Sequence, residues 1–141
     1  MTQVIFLDFD GVLHPKMNDS FEFMGNFFAV LNNFRQAQVV ISSNWKDGLT
    51  QDNLNDLFKE YAHRVVGKTT SSQGMSRQDE IMAYVKLHKV TCYVAIDDDC
   101  RDTLFALNCE FLFKTNYFKG LTNDILPGLI QFMRHRGFTE F

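Results

Sequence analysis

The sequence is poor in the residues that build disulfide-rich and zinc-binding proteins. Its three cysteines are odd in number and nowhere form a CxxC pair, so neither a disulfide framework nor a zinc site is indicated. Free thiols suit a reducing compartment, and we expect a cytoplasmic protein. The N-terminus becomes charged at Asp8 without a preceding basic segment and longer apolar run, which predicts no signal peptide.

Long apolar runs and blocks of like charge are also missing. No apolar stretch approaches the ~18 residues that a membrane helix needs, so no membrane partner is predicted. The formal net charge is −3 and the basic residues are dispersed, which argues against a strong nucleic-acid-binding patch that works by neutralising phosphates. The basic triplet Arg134 to Arg136 is expected to be a solvated helix end, with a small basic patch as the alternative.

Apolar residues are plentiful. They make up 45% of the chain, and 15 of its 141 residues are phenylalanine. A chain of this length is long enough to bury one core and too short for two ordinary domains. We therefore expect a single domain over residues 1–141.

Five short apolar runs predict the strands of a sheet. None alternates polar with apolar residues, which is typical of strands buried on both faces. Because segments of helical period separate them, they predict an α/β protein whose parallel sheet of about five strands has helices on both faces. The runs are Val4–Leu7, Val39–Ile41, Val65–Val66, Cys92–Ile96 and Phe111–Phe113.

Polar residues mark where the helices start. Asp19 with Glu22, and Ser76 with Asp79, have the spacing of a capping box, and Thr50 is expected to cap a further helix. Near the C-terminus, proline 127 fits the first turn of a helix better than its interior. The predicted helices are centred on Phe21–Leu31, Leu54–Tyr61, Ile81–His88 and Leu126–Met133.

Carboxylates and hydroxyls directly follow three of the apolar runs. Asp8 and Asp10 follow the first, Ser42 and Ser43 the second, and Asp97 to Asp99 the fourth. Ligands of parallel sheets bind beyond the carboxyl ends of the strands, so we expect these side chains at one edge. So many acidic groups repel one another unless a cation lies among them. The oxygen ligands favour Mg²⁺.

A cation at this edge would support phosphoryl chemistry. A carboxylate beside Mg²⁺ can attack phosphorus, because the cation screens its repulsion from the phosphate. A second carboxyl two residues on can protonate the leaving oxygen and later deprotonate the attacking water. Gly11 lets the backbone turn away without a side chain. Serine hydroxyls, free backbone N–H groups and a lysine or arginine would bind the phosphoryl oxygens.

The stretch "DFDGVLH" resembles the first motif of the haloacid dehalogenase (HAD) superfamily of phosphohydrolases. The ordered series "IFLDFDGVLH…VVISSNW…SRQDEI…VAIDDD…KGLT" is similar to a small, nearly capless branch of that superfamily found in RNA-repair (Swiss Army Knife) proteins. The resemblance implies a Rossmann-like three-layer α/β/α fold with a minimal cap or none. It also implies that Asp8 is the nucleophile and Asp10 the general acid and base, with the Asp10 carbonyl on the metal.

The second and third motifs of the superfamily supply phosphate ligands. By resemblance, Ser43 followed by Asn44 fits the second motif best, with Ser42 as the alternate. The third motif needs a cation near the nucleophile. Arg77 stands at the expected helix start, and Lys68, which follows the third apolar run, is the rival.

The fourth motif supplies metal ligands. Asp98 and Asp102 match one known spacing with Asp97 in the glycine place, while Asp97 and Asp98 alone match a two-aspartate variant. We expect Asp99 and Asp102 to stand near the start of a helix instead. The magnesium ligands that the resemblance implies are Asp8, Asp10, Asp97 and Asp98.

Two ring side chains near these motifs leave alternatives open. His14 is expected to have a structural role in a loop, with substrate contact as the alternative. Trp45 is expected to be a core or lid aromatic, and stacking on a base or ring is its alternative.

The leading hypothesis is a Mg²⁺-dependent phosphomonoesterase that forms an aspartyl-phosphate at Asp8. Only a short flap fits between Leu13 and the Phe21 helix, and an open site suits an exposed phosphate such as a polynucleotide end. A small phosphomonoester is the alternative substrate. The alternatives in function are a catalytically idle binding or regulatory module, and a phosphotransferase.

Overall fold

A computed structural model describes residues 2–71 and 73–140 of the chain. Five strands form one all-parallel sheet in the order β3-β2-β1-β4-β5. The strands are β1 (Gln3–Leu7), β2 (Ala37–Ile41), β3 (Val65–Lys68), β4 (Cys92–Asp97) and β5 (Leu112–Lys114). The α-helices are α1 (Met24–Asn33), α2 (Gln51–Phe58), α3 (Arg77–His88) and α4 (Leu126–His135).

The central strand β1 is buried on both faces. Ile5 and Leu7 belong to a core that contains side chains of α1, α2 and α4, whereas Val4 and Phe6 belong to a second core with Ile81 of α3. Helices therefore cover both faces of the sheet, which explains why its apolar runs do not alternate. The predicted three-layer α/β/α fold is confirmed.

Most predicted helix starts agree with the structure. Thr50 and Ser76 cap α2 and α3, and each closes a capping box with the residue three positions later. Pro127 lies in the first turn of α4, as predicted. Arg134 lies in the last turn of α4, where it pairs with Glu140.

Two helix predictions are wrong. The helix expected from Asp19 begins only at Met24, without a side-chain cap, because Asp19 and Phe21 adopt positive φ angles of 57° and 51° that no α-helix accommodates. No helix begins near Asp99 either. Residues 98–111, all of them described, form turns and bends between β4 and β5.

The segment between β1 and α1 passes over the carboxyl edge of the sheet. Residues 8–23 contain turns and one isolated bridge, between Asp10 and His14. The Lys16 N–H donates to the Tyr117 carbonyl at 2.7 Å, so the segment is tied to the chain that follows β5. This segment is only a flap, in agreement with the predicted minimal cap. Within residues 2–71 and 73–140, no helix is long and apolar enough to cross a membrane.

Candidate phosphate and metal site

A cavity of about 440 Å³ opens at the carboxyl ends of β1, β2 and β4. The sheet order places β1 between β2 and β4, so the residues that follow these three strands meet there. The predicted site residues that line the cavity are Asp8, Asp10, Ser43, Asn44, Arg77 and Asp98.

Three carboxylates cluster at the base of this edge. One oxygen each of Asp8, Asp97 and Asp98 lies within 4.8 Å of the others, and all three residues are buried. Strand pairing fixes part of this arrangement, because the Asp8 N–H continues the β1–β4 ladder by donating to the Ile96 carbonyl at 3.1 Å. We call Asp8, Asp97 and Asp98 the acidic cluster.

Arg77 is the cation of the acidic cluster. Its Nη1 lies 3.3 Å from Asp8 Oδ2 and 2.7 Å from Asp97 Oδ2, and its Nη2 donates to Asn44 Oδ1 at 3.4 Å. Arg77 is the first residue of α3, directly after the Ser76 cap. The capping box thus fixes the point from which the guanidinium reaches the cluster.

The charge of the acidic cluster exceeds what one arginine balances. Burial raises the pKa of Asp8 well above its usual range, and the negative charge of Asp97 raises it further, although Arg77 acts in the opposite direction. Burial also raises the pKa of Asp97. Burial opposes the ionisation of these carboxylates, and a nearby cation would stabilise their charged form. Carboxylate oxygens are also the ligands that a hard divalent cation prefers.

Gly11 allows the flap to approach the acidic cluster. Its φ is +73°, and a Cβ built on it would lie 2.9 Å from both Cβ and Cγ of Asp98. The chain after β5 also closes on this point, where Thr115 Oγ1 donates to the Gly11 carbonyl at 2.6 Å. Any side chain at position 11 would push Asp98 away.

We expect Gly11→Ala to lower the free energy of unfolding by about 2 to 4 kcal/mol, from backbone strain together with the clash. Gly74→Ala is the matched control, because Gly74 has a φ of +82° but open space around its Cα. That variant should lose only about 1 kcal/mol, the cost of strain alone. Urea denaturation of both variants measures the difference, and equal losses would show that the approach to Asp98 is not tight.

The two serines after β2 have different environments. Ser43 lines the cavity and caps a short 3-10 helix, Asn44–Gly48, by accepting the Trp45 N–H at 3.2 Å. The hydroxyl of Ser42 is buried and has no hydrogen-bond partner among the described residues. Ser43 is therefore the serine that faces the site.

The side chain of Asp10 is held apart from the acidic cluster. Its Oδ1 lies 2.7 Å from His14 Nε2 and accepts the Trp45 indole N–H at 3.1 Å. The Asp10 side chain is 24% exposed, against 5% for Asp8. The contacts of His14 and Trp45 with Asp10 were not predicted, because no spacing rule links residues that meet only in the folded chain.

The two lysines near this edge contact other groups. Lys68 Nζ donates to the Lys46 carbonyl at 3.3 Å and lines a separate cavity of about 280 Å³ beside α2. Lys46 is buried, and its Nζ lies 2.8 Å from Thr69 Oγ1 and 3.2 Å from Glu80 Oε1. Lys46 thereby links the chain after β2 to α3. A lone lysine in a polar segment gives no sequence signal of burial.

The remaining aspartates of the fourth motif have structural contacts. Asp99 Oδ1 and Oδ2 accept backbone N–H groups from Thr103, Leu104 and Phe105, which fixes the turn after β4. Asp102 forms an exposed ion pair with Lys114. Both side chains are engaged away from the acidic cluster.

One comparison with known proteins identifies the family of the chain. The model of the family described as "HAD domain in Swiss Army Knife RNA repair proteins" matches residues 4–126. Neither the curated proteins nor the solved structures gave a match. The matched region contains the acidic cluster, Arg77 and the flap. The resemblance seen in the sequence is confirmed, and the chain belongs to the family of HAD domains found in Swiss Army Knife RNA repair proteins.

Proposed function

We propose that the protein is a Mg²⁺-dependent phosphomonoesterase that works through an aspartyl-phosphate at Asp8. The observation that carries the proposal is the buried Asp8 carboxylate, which lines an open cavity, clusters with Asp97 and Asp98, and lies 3.3 Å from Arg77. Family membership supports phosphohydrolase chemistry in this fold.

The metal ligands in this proposal are the carboxylates of Asp8, Asp97 and Asp98, together with the backbone carbonyl of Asp10. Bound there, Mg²⁺ supplies positive charge that offsets the carboxylates and the incoming phosphate. Arg77 is the protein's own contribution to the same balance. It fills the role of phosphate-neutralising cation better than Lys68, whose ammonium contacts a backbone carbonyl beside another cavity.

The reaction proceeds in two displacements at phosphorus. An oxygen of Asp8 forms a bond to phosphorus while the bond to the ester oxygen breaks, and Asp10 gives its proton to that oxygen. Asp10, now a carboxylate, then takes a proton from a water that attacks the phosphorus. The Asp8–phosphorus bond breaks and inorganic phosphate leaves. Ser43 and Asn44 line the cavity, where their polar groups bind the phosphoryl oxygens.

The open cavity favours a phosphate at the end of a large molecule. Met17 of the flap and Arg101 line the cavity and are exposed to solvent. Within the described residues, no inserted domain covers them. The family description adds the RNA-repair context. We therefore propose a polynucleotide end as the substrate class, in preference to a small phosphomonoester.

Phosphate release tests both parts of the proposal. The wild-type protein is assayed with p-nitrophenyl phosphate and with oligonucleotides phosphorylated at the 5′ or 3′ end, each with Mg²⁺ or with EDTA. We expect release only with Mg²⁺, and a kcat/KM at least about tenfold higher for one of the oligonucleotides. A higher kcat/KM for small phosphate esters would contradict the substrate class. Mg²⁺ binding without any release would identify an idle module, and phosphate transfer to an added alcohol a phosphotransferase.

A further inference from the structure

Two side chains from separate parts of the chain hold one oxygen of Asp10. His14 Nε2 lies 2.7 Å from Asp10 Oδ1, and the Trp45 indole N–H donates to the same oxygen at 3.1 Å. No hydrogen bond from the described part of the chain reaches Oδ2. Asp10 nevertheless lines the candidate site, so one of its oxygens is engaged and the other is available.

Aromatic packing fixes the two side chains that hold Asp10. The His14 ring is fully buried and meets the edge of Phe21 with centroids 4.6 Å apart. Phe21 also packs against Trp45 at 5.3 Å, and Trp45 packs against Phe9 at 5.8 Å. Rings confined on several sides cannot rotate freely, so their nitrogen atoms stay directed at Asp10.

The two groups that face Oδ1 decide which oxygen of Asp10 carries a proton. An indole N–H donates and never accepts, so Oδ1 accepts one hydrogen bond from Trp45. The buried His14 Nδ1 has no hydrogen-bond partner among the described residues, which favours the imidazole tautomer whose proton is on Nε2 and is donated to the same oxygen. An oxygen that accepts two hydrogen bonds is the carbonyl oxygen when Asp10 is a carboxylic acid, so the proton resides on Oδ2. The same contacts hold the Asp10 side chain apart from the acidic cluster.

We propose that Trp45 and His14 are positioning residues that fix the general acid. They orient Asp10 so that its proton lies on Oδ2, available to the leaving oxygen. This inference rests on the proposed function, since it assigns how Asp10 is prepared for proton transfer. It gives Trp45 and His14 a role beyond packing in the core or flap.

The leaving group distinguishes positioning from mere stability. Protonation matters most for an alkyl phosphate, whose alkoxide leaves poorly, and least for p-nitrophenyl phosphate, whose phenolate leaves well. Trp45→Phe keeps an aromatic ring but removes the N–H. We expect this variant to lose about tenfold in kcat on the alkyl phosphate and less than about twofold on p-nitrophenyl phosphate. His14→Leu should show the same split, and His14→Gln, which restores an N–H donor, should reduce it.

Phe34→Leu is the matched control, because Phe34 is buried in the same core, packs on Phe138, and precedes β2 at the edge of the parallel sheet opposite Asp10. It should lower stability and leave the ratio of the two rates unchanged. An equal loss on both substrates in Trp45→Phe would refute the positioning role. If Asp8→Asn retains the wild-type rate, or the wild type releases no phosphate, the proposed function fails and the positioning role fails with it.

Nuclear magnetic resonance tests the contact independently of turnover. The chain has a single tryptophan, so its indole N–H gives one assignable signal. Asp10→Ala should move that signal upfield and speed its exchange with solvent. A signal that stays in place would refute the hydrogen bond, and with it the proposal, whatever the kinetics.

Discussion

Asp8→Asn is expected to lower kcat by at least about three orders of magnitude, because an amide oxygen cannot replace a carboxylate nucleophile. Asparagine has nearly the same shape as aspartate, so binding of the phosphate should change far less than the rate. Steady-state kinetics on the best substrate of the panel measures the loss. A decrease of less than tenfold would remove Asp8 from the role of nucleophile.

The same substitution should leave the fold intact or make it more stable without metal. A raised folded-state pKa means that the stability linked to Asp8 is fully present below the ordinary pKa of aspartate and is lost as the pH rises through the raised value. At neutral pH the neutral asparagine avoids that loss. Added Mg²⁺ should raise the melting temperature of the wild type more than that of the variant. Unfolding of Asp8→Asn would instead make its inactivity uninformative.

Arg77→Met is expected to cause the largest loss of stability, about 3 to 5 kcal/mol near neutral pH, because Asp8 and Asp97 lose the cation between them. Arg77 is itself only 8% exposed and contacts both carboxylates, so water cannot replace it at no cost. The loss should diminish as the pH falls, since protonation removes the charges that arginine balances. Denaturant titrations at several pH values measure this trend.

Lys68→Met is the matched control for Arg77. It removes a cation from the same edge, but one whose ammonium contacts the Lys46 carbonyl. We expect its effect on the free energy of unfolding to stay within about 1 kcal/mol and its phosphatase activity to remain near the wild-type value. The opposite result, a larger loss of activity in Lys68→Met than in Arg77→Met, would make Lys68 the cation of the site.

The sequence predicts those features that depend on local pattern. The apolar runs identified all five strands, although β5 begins one residue later than expected and β3 extends to Lys68. The capping boxes at Thr50 and Ser76 were readable because their hydrogen bonds join residues three apart. The capping-box spacing of Asp19 predicted the start of a helix wrongly, because packing of Phe21 against His14 holds that segment outside helical geometry.

The sequence alone does not give contacts between distant side chains. Nothing in the spacing of Asp10 and Trp45 shows that the indole reaches the carboxylate, because that depends on how the chain turns after β2. The burial of Lys46 likewise follows from Thr69, just after β3, and from Glu80 in α3. Asp99 was expected near the start of a helix, yet its oxygens bind the backbone of a turn that no helix follows directly in the described residues.

The central position of β1 has a consequence for how the protein acquires its site. Asp8 meets Asp97 only after β1 has paired with β4, whose register joins residues from opposite halves of the chain, such as Gln3 with Cys92. Contacts of such long range form slowly, because a large loop must close first. A helix such as α2, whose contacts are local, can form earlier, and it contains no residue of the acidic cluster. During refolding, the electrostatic repulsion of the site is therefore imposed late, when the pairing of β1 with β4 joins the two parts of the sheet. The proposed phosphatase activity should reappear only with that pairing.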